Sequence, residues 1–497
     1  MENIITSKIL LTSALPMLTA LLIMGSGKRP NLRESWSVIG AILTFLSVLM
    51  LLPHILSGGS YEYTLATLYP GISIKFHLDA LGLIFAGTAS FLWILAGFYC
   101  IGYMRGLNEH AQTRFYVCYA VAVGGAMGGA FAGNLFTLYL FYEIVSVFTY
   151  PLVAHHQDGE GYEGARKYIT YLMFTSKAFL LPAMAIIYLQ CGTLDFCYSG
   201  VANGIFPAGA NHTLVVISYC LCLFGFAKAG IMPLHNWLPS AMVAPTPVSA
   251  LLHAVVVVKI GVFSICRVML SVFGVKLLHD LNLGIFTAYF VSFTIIMASV
   301  IALTKTNLKA RLAYSTISQL SYIILGVAML TPNGITGGLI HITNHAFSKI
   351  TLFFCAGAIF VASGKKDIRE MGGLGYRMPI TMIAFGIASL SMIGAPPSCG
   401  FVTKWFLALG AMDIKSIGLL VVLLISSLLN AGYFVPVFLK AFFGKPPAAE
   451  IGVSDCLERK PLVLFMVVPL LITSIISIVL GLYPDLFLQL IHLMIKA

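Results

Sequence analysis

The stretch that decides the fold is "FAKAGIMPLHNWLP", Phe226 to Pro239, which directly follows an apolar run from Leu214 to Phe226. It contains Lys228, then Pro233, then His235. A charged side chain and a helix-breaking proline are both costly inside a lipid bilayer. Together they predict an interrupted helix at membrane depth, whose freed backbone groups and water are enclosed by protein and do not face lipid.

The composition of the whole chain supports a membrane setting. Of the 497 residues, 9% are charged and 59% are hydrophobic, and the mean hydropathy is +0.95. Soluble domains carry about 25% charged residues. We therefore predict an all-α polytopic membrane protein, with no polar segment long enough to form a soluble catalytic domain. The net charge of +11 fits basic cytoplasmic loops and does not suggest nucleic acid.

The ten cysteines do not predict a metal centre. They are scattered, mostly within apolar runs, with no CxxC motif and no paired Cys/His cluster. No zinc or iron–sulfur site is expected. Cys191 and Cys197 could form a loop disulfide, although two unpaired thiols are the simpler expectation.

Segments of about 20 apolar residues predict about 14 transmembrane helices. The first lacks a net-basic leader and a clear cleavage site, so we expect a span and not a signal peptide. The predicted spans are 8–26, 35–57, 78–103, 115–133, 134–155, 167–190, 213–233, 240–272, 283–304, 310–330, 335–362, 379–411, 416–443 and 462–490.

Loop charges give the predicted orientation. Loops after odd-numbered spans, with the adjoining span ends, hold 18 lysines and arginines, and the other face holds 5. Since cytoplasmic loops carry the basic excess, both termini are expected on the outer (periplasmic) face of a prokaryotic-type inner (cell) membrane.

Several ionisable residues fall inside predicted spans, and such residues are functional candidates by default because burying their charge is costly. Glu143 is the acid that lies deep in a span, and Asp79 stands at the entrance of the third span. The lysines inside spans are Lys177, Lys228, Lys259, Lys349 and Lys404.

Glu143, in "LFTLYLFYEIVSVFTYP", is predicted to pair with Lys228. A lysine paired with a carboxylate keeps its proton, and an unpaired buried lysine gives it up readily. The pair would therefore control proton affinity by closing and opening. The alternative is a static ion pair that fixes helix packing.

The stretch "HITNHAFSKITLFF" places His341, His345 and Lys349 at i, i+4 and i+8, along one face of one helix. Two imidazoles and an amine in line predict a proton relay. Packing histidines or a metal pair are the alternatives. No carboxylate or cysteine lies nearby in sequence, so no metal is predicted.

Three further candidates are less strongly defined. His253 and Lys259 lie on different faces of one helix, Lys259 being the stronger proton carrier and His253 a candidate for lining a water-filled cavity. Lys177 either joins the lysine line or extends along its helix toward the membrane surface. His235 either hands protons onward or caps the broken helix end.

A second interruption resembles the first. In "GAPPSCGFVTKWF", Pro396 and Pro397 break the twelfth span and Lys404 follows about two turns later. Paired breaks predict two inverted five-helix repeats with broken seventh and twelfth helices. We expect an N-terminal three-helix segment at 1–114, repeats at 115–272 (spans 4–8) and 283–443 (spans 9–13), and a C-terminal loop and last span at 444–497.

These motifs, together with "LKARLAYSTISQLSYIILG", resemble the antiporter-like proton-translocating subunits of respiratory complex I, membrane-bound hydrogenases, formate hydrogenlyases and Mrp antiporters. The resemblance runs from about Asp79 to Phe443. It is closest to D-type Mrp subunits and to M-, L- and N-type subunits of NADH-quinone oxidoreductase. It implies the same fourteen-helix fold and a hydrated polar line along the membrane plane.

The resemblance also implies roles for single residues. Glu143 matches the family's fifth-helix glutamate, Lys228 and Lys259 its seventh- and eighth-helix lysines, and Asp79 an acidic position before the third helix. Lys177 has no counterpart in the family pattern. Some complex I relatives continue into a long lateral helix, which we do not expect here. The eleventh-helix relay would be His341, His345 and Lys349, and the twelfth-helix terminal lysine would be Lys404.

The first functional hypothesis is proton translocation in a multisubunit Mrp-type monovalent cation/proton antiporter. Alternatives are the same pump driven by a redox arm, a subunit coupling proton flow to inorganic-carbon uptake, and a non-transporting scaffold. The cost of the buried charges argues against a scaffold. Because no cofactor is expected in this chain, redox chemistry would lie in partner subunits. Expected partners are other membrane subunits, H⁺, Na⁺ or K⁺, and the lipid bilayer.

Overall fold

The structure is a computed structural model that describes residues 3–445 and 456–496, without the side chains of 252–255 and 496. The chain is mostly helical, at 78%. Long apolar runs form helices because a spanning segment must satisfy its backbone groups internally.

Most helices overlap the predicted spans, but 213–233 ends early at Gly225, 240–272 is regular α-helix mainly at Val257–Val268, and 379–411 divides into two helices. They are α1 Lys8–Gly25, α2 Pro30–Leu56, α3 Ala80–Gly106, α4 Gln112–Ala130, α5 Leu135–Val153, α6 Gly159–Cys191, α7 His212–Gly225, α8 Val257–Val268, α9 Leu283–Thr304, α10 Leu308–Ala328, α11 Pro332–Ser363, α12 Pro379–Ile393, α13 Cys399–Asp413, α14 Ile417–Phe443, α15 Pro461–Leu482 and α16 Asp485–Lys496.

Within the described residues, 9 helices are long and apolar enough to cross a membrane. The others are shorter, less apolar or interrupted. The chain is thus a multi-pass membrane protein, while the count of fourteen spans and the inverted-repeat layout stay predictions.

The last predicted span, 462–490, is wrong as a single helix. It divides into α15 and α16, and Tyr483 and Pro484 separate them. The proline explains the division, because it cannot continue a helix whose backbone donor it lacks. The short helix α16 packs back against α3 and α11.

The all-α prediction is also wrong at one place, because an N-terminal strand and a hairpin after α2 form a three-stranded sheet. Its strands are β1 Asn3–Ile5, β2 Ser60–Tyr69 and β3 Ile72–Leu78. The first two pair in parallel, and β2 and β3 form an antiparallel hairpin. Alternating β-branched and aromatic residues in "SYEYTLATLY" favour strands, a signal that a search for apolar runs overlooks.

Two helices form the centre of the molecule. In their most apolar windows α3 and α11 are each 78% buried. The latter packs against α10, α12, α13 and α15. A buried helix that also carries polar side chains must provide partners for them inside the protein, and α11 is the helix that bears the predicted His/Lys relay.

Three π-helical segments interrupt the regular α-helical geometry. Ser176–Leu180 lies within α6, and Val248–Val256 and Met269–Phe273 flank α8. Single π turns displace side chains from the regular α-helical phase and often occur at functional sites. Here they occur in the two helices that bear Lys177 and Lys259.

Candidate functional site

The first helix break begins upstream of Pro233, inside the predicted span 213–233. Helix α7 ends at Gly225, and Lys228 lies in the short turn Ala227–Ala229 that follows. The indole Nε1 of Trp237 donates to the carbonyl of Ala227 at 3.0 Å, across the interruption. The backbone N–H of Met232 donates to Thr294 Oγ1 at 3.3 Å. Side chains therefore replace hydrogen bonds that a continuous helix would have made.

Lys228 is fully buried and its amine is held by neutral oxygens. Nζ donates to the Tyr142 carbonyl and to Ser146 Oγ, both at 2.7 Å. The hydroxyl of Tyr142 accepts from the backbone N–H of Lys228 at 3.1 Å. One turn of α5 thus holds both the main chain and the side chain of Lys228.

Glu143 does not make the predicted ion pair with Lys228. Its Oε2 accepts from Lys177 Nζ at 2.5 Å, and its Oε1 has no hydrogen-bond partner among the described residues. The physical reason is helical phase: successive residues point about 100° apart, so Tyr142 faces the break and Glu143 faces α6. The carboxylate still acts electrostatically on Lys228.

Lys177 is the residue that sequence analysis could not assign. Its side chain is 47% exposed, against 15% for Glu143. It lies near the middle of the 33-residue helix α6, so the exposed part of the pair is at membrane depth. The structure places Lys177 beside Glu143, where it is an ion-pair partner and does not extend to the membrane surface.

Lys259 stands apart from hydrogen-bonding groups. It is 1% exposed, and its amine has no hydrogen-bond partner in the described part of the chain. Its charge acts on His341, His345 and Lys349. The side chain of His253 falls outside the described residues.

The predicted relay on α11 is buried and forms a row. His341 lies between Gln319 Oε1 at 3.0 Å and Thr403 Oγ1 at 3.2 Å. The rings of His341 and His345 are 5.6 Å apart, and within the described residues His345 has no hydrogen-bond partner for either ring nitrogen. Lys349 Nζ donates to Ser315 Oγ at 2.5 Å.

The second break holds Lys404 as the first holds Lys228. Helix α12 ends at Ile393 and α13 begins at Cys399, and Pro396 and Pro397 lie between them. Lys404 Nζ donates to the freed carbonyl of Ile393 at 2.6 Å and to Ser427 Oγ at 2.7 Å. In both breaks, therefore, a lysine amine donates one hydrogen bond to a main-chain carbonyl and one to a serine hydroxyl.

Two residues near the ends of helices have local roles. Asp79 caps α3 by accepting from the Gly82 N–H at 2.9 Å, and both its oxygens accept from Arg267 at 2.6 Å. Arg267, 1% exposed, was not among the predicted site residues. His235 lies half-buried beside the exposed Pro233, with Nδ1 3.3 Å from the Pro233 carbonyl.

A second polar cluster lies where the α3–α4 loop meets the end of α5. Burial opposes ionisation of Glu109, but His155, His156 and His110 outweigh it and lower the pKa of this carboxyl. Burial also lowers the pKa of His156. Sequence analysis did not find this cluster, although the dipeptides Glu109–His110 and His155–His156 in two polar loops were a usable signal.

The hydroxyl and amide partners were missed for a different reason. Tyr142, Ser146, Ser315, Gln319 and Ser427 are common in transmembrane helices, and only the fold shows which of them face a buried charge. All ten cysteines are free, as expected for Cys191 and Cys197.

Among the described residues, Lys228, Lys349 and Lys404 form no ion pair with a carboxylate, and each donates to neutral oxygens. An amine held in this way can lose its proton without leaving an unpaired carboxylate behind. The arrangement is thus chemically suited to exchanging protons between buried groups.

Comparison with known proteins gives consistent results. The family described as NADH:quinone oxidoreductase/Mrp antiporter, TM, matches residues 132–430. NADH-quinone oxidoreductase subunit N of Desulforudis audaxviator is 30% identical, with 90% of each chain covered. A Na⁺/H⁺ antiporter subunit of Alkalihalophilus pseudofirmus is 30% identical over 95% of this chain, which spans only 60% of that relative.

Two solved structures share the fold. The Mrp complex from Dietzia sp. DQ12-45-1b contains a chain with a TM-score of 0.83 and 24% identity, covering 98% of this chain and 97% of that one. The membrane-bound sulfane sulfur reductase, an archaeal respiratory membrane complex, gives a TM-score of 0.86 at 24% identity, with 99% and 98% covered.

The fold and the buried basic residues define a class of multi-pass membrane proteins with ionisable groups at membrane depth. Within that class, the chain belongs to the NADH:quinone oxidoreductase/Mrp antiporter transmembrane family. Membership makes it an ion-transport protein of antiporter type, and its relatives are subunits of multisubunit membrane complexes.

Proposed function

We propose that this chain is the proton-translocating subunit of a multisubunit Mrp-type monovalent cation/proton antiporter. Protons would move along a line of groups, of which Glu143 and Lys404 at the two ends are partly buried and the rest are buried: Glu143, Lys228, Lys259, His341, His345, Lys349 and Lys404. The observation that carries the proposal is the way the buried amines are held, by carbonyl and hydroxyl oxygens and not by acids. A static packing role would favour paired charges.

The coupling of Glu143 to Lys228 is proposed to act at a distance. The carboxylate is held by Lys177 at 2.5 Å and acts on Lys228 through its field. When Lys177 moves away, Glu143 is free to stabilise the charged form of Lys228. When Lys177 returns, Lys228 loses that support and passes its proton onward. The exposure of Lys177 makes this first step accessible to a neighbouring subunit.

Removal of the two charges tests the proposal. In membrane vesicles that contain the assembled complex, Lys228→Ala and Glu143→Ala should abolish proton translocation, measured with a pH-sensitive dye, while the complex stays in the membrane. Lys276→Ala is the matched control, since Lys276 is an exposed lysine outside the helices that carry the line. Normal pumping by either of the first two variants would refute the proposed coupling.

The second candidate is the same proton module driven by a redox arm. Its support is the similarity to a subunit of NADH-quinone oxidoreductase and the fold shared with a sulfane sulfur reductase complex. Purification of the native complex separates the two: small antiporter subunits and a response to Na⁺ or K⁺ gradients support the antiporter, and a co-eluting redox arm supports the second candidate.

A further inference from the structure

The cluster of Glu109, His110, His155 and His156 is not part of the buried lysine line. Glu109, His110 and His155 each place a ligand atom within 4.8 Å of the others. His155 Nε2 is 3.5 Å from Glu109 Oε2, and His156 Nδ1 is 3.6 Å from the same oxygen. Three imidazoles therefore converge on one carboxylate.

His155 is the residue whose state calls for a ligand. Its side chain is fully buried; Nε2 has the Glu109 carboxylate 3.5 Å away without hydrogen-bond geometry, and within the described ranges Nδ1 has no hydrogen-bond partner. A buried polar group without a partner costs free energy, on the order of 1–3 kcal/mol. A metal ion coordinated by a ring nitrogen of His155 would remove that cost.

Hydrogen bonds to main-chain carbonyls hold the α3–α4 loop and the end of α5 in place around His155. Arg114 Nη2 donates to the His155 carbonyl at 3.1 Å. Gln112 Nε2 donates to the Glu109 carbonyl, also at 3.1 Å, and the Glu109 N–H donates to the Met104 carbonyl at 2.9 Å. The ring of Phe115 meets His155 edge-on, with centroids 5.6 Å apart. His155 is thus fixed, and the exposed His110 has room to adjust.

We propose that Glu109, His110 and His155, with His156 as a candidate fourth ligand, form a binding site for a divalent transition-metal ion, Zn²⁺ above all. Imidazole nitrogen and carboxylate oxygen at about 2.0–2.2 Å in a tetrahedral arrangement are the preferred surroundings of Zn²⁺. Mg²⁺ and Ca²⁺ prefer sets made only of oxygens, so they do not fit a cluster of three histidines.

Closing the site requires only small movements. Ligand atoms on one tetrahedral Zn²⁺ lie about 3.3 Å apart, given bond lengths of about 2.0 Å. The ligand atoms now lie within 4.8 Å of one another, and His110, whose side chain is exposed, is the ligand free to rotate toward a bound ion. An ion can enter through the adjoining cavity of about 580 Å³, which Glu109, His110 and His156 line.

Charges in that cavity set the strength of binding. Glu109 and Asp158 favour a cation, whereas Lys309, Lys365 and Lys366 also line the cavity and disfavour one. The Lys309 amine is engaged by the carbonyl of Ala244 at 2.7 Å, and the groups acting on Glu109 are the three histidines. We therefore expect reversible Zn²⁺ binding.

The test measures binding and does not depend on transport. The full chain, purified and stripped with a chelator, is loaded with Zn²⁺ alone and titrated against a chromophoric chelator. X-ray absorption at the zinc edge then reports the coordinating atoms. We expect one Zn²⁺ per chain with nitrogen and oxygen ligands only. No stoichiometric Zn²⁺, or sulfur in the shell from one of the ten cysteines, would overturn the site.

Variants assign the ligands. His110→Ala and Glu109→Gln should weaken binding by no less than the ~10–100-fold typical of losing a supporting partner. His279→Ala is the matched control, because His279 is an exposed histidine outside the cluster, in the short helix Val275–Asp280 with a side chain 82% exposed, and should bind as the wild type does. Binding unchanged in His110→Ala and Glu109→Gln would also overturn the site.

His110→Cys should restore Zn²⁺ binding that His110→Ala loses. A purely structural role of His110 does not predict this recovery. A thiolate is a good Zn²⁺ ligand, so this variant should bind Zn²⁺ again, now with one sulfur in the coordination shell. Since His110 is exposed, neither substitution endangers folding, and elution as a single species checks this. Zn²⁺ held by His110→Cys without a sulfur ligand would contradict the assignment.

Discussion

Glu143 carries two carboxylate oxygens in different states. One accepts from Lys177 at 2.5 Å, and the other has no hydrogen-bond partner among the described residues. A carboxylate at membrane depth is tolerated when it is paired. The ion pair with Lys177 therefore compensates the charge of Glu143, and in the proposed coupling its opening and closing controls how strongly Glu143 supports the charged form of Lys228.

Lys177→Ala tests this role. Proton translocation by the assembled complex should fall at least about tenfold, equivalent to ~1.4 kcal/mol, because the carboxylate loses its partner. Lys177→Arg, which can still pair, should keep more activity than Lys177→Ala. The matched control is Lys167→Ala on the same helix, where Lys167 pairs with the exposed Glu163 at 2.7 Å. Equal loss in Lys177→Ala and Lys167→Ala would contradict the assigned role.

Charges outside the spans should control stability in acid. His77, whose Nδ1 lies 3.7 Å from Glu62 Oε2, lowers the pKa of Glu62 despite partial burial, and Lys75, with Nζ 2.9 Å from Oε1, adds to the effect. A carboxyl with a lower pKa in the folded chain binds fewer protons there, so its stabilisation is present above the ordinary carboxyl range and is lost as pH falls through the lowered value.

The melting temperature should show this dependence. In detergent, Glu62→Gln should melt below the wild type near neutral pH, and the difference should shrink as the pH falls below about 4. Glu370→Gln, a change at an exposed acid, should show no such trend. A difference between Glu62→Gln and wild type that stays constant with pH would rule out the charge network as its cause.

At the scale of single elements, the two breaks depend on close packing. Helix α8 passes Lys228 at Gly261, where an added Cβ would lie 2.8 Å from Lys228 Cβ. The helix can approach so closely because glycine has no side chain. The position of the switching amine therefore depends on a residue with no chemistry of its own.

Gly261→Ala should displace Lys228 from Tyr142 and Ser146. We expect a loss of stability of about 1–3 kcal/mol from overpacking, together with reduced proton translocation. Gly87→Ala is the matched control, because an added Cβ on Gly87 in α3 meets nothing within 4 Å. Thermal unfolding of both variants is the measurement. If Gly261→Ala were as stable as the wild type, the close approach of α8 to Lys228 would not require a glycine at this position.

Sequence predicted the elements well where one physical signal dominated. The span 283–304 matches α9, Leu283–Thr304, because an unbroken apolar run has few alternatives in a membrane. Proline cannot continue a helix, and Pro396 and Pro397 do lie between α12 and α13, whereas the first break begins at Gly225, before Pro233. The sheet was missed, since strands that cover a loop region give only a weak alternating signal.

Sequence periodicity predicted which candidate residues share a helix face, but not how the candidate residues pair. Periodicity places His341, His345 and Lys349 on one face of α11, and the structure shows them in a row. The partner of Glu143 depends on the angle at which α5 meets α6 and the turn after α7, and no local pattern encodes that angle. The Zn²⁺ ligands likewise come from two loops that only the fold brings together.

At the scale of the whole molecule, the buried groups extend from the exposed pair Lys177–Glu143 to Lys404 at the second break. The charge of Lys259 acts on the histidines and lysine of α11, and Lys404 also acts on His341. In both breaks the lysine amine donates to one main-chain carbonyl and one serine hydroxyl, and the proposed proton transfer links these two positions.

Proton flux through the complex with Lys404→Arg tests this account most directly. Arginine keeps the positive charge and can donate to the Ile393 carbonyl and Ser427, but it does not release a proton at accessible pH. With Lys276→Arg as the control, we predict an assembled complex whose proton flux in vesicles is lost. Flux at the wild-type rate in Lys404→Arg would contradict proton transfer along the buried line.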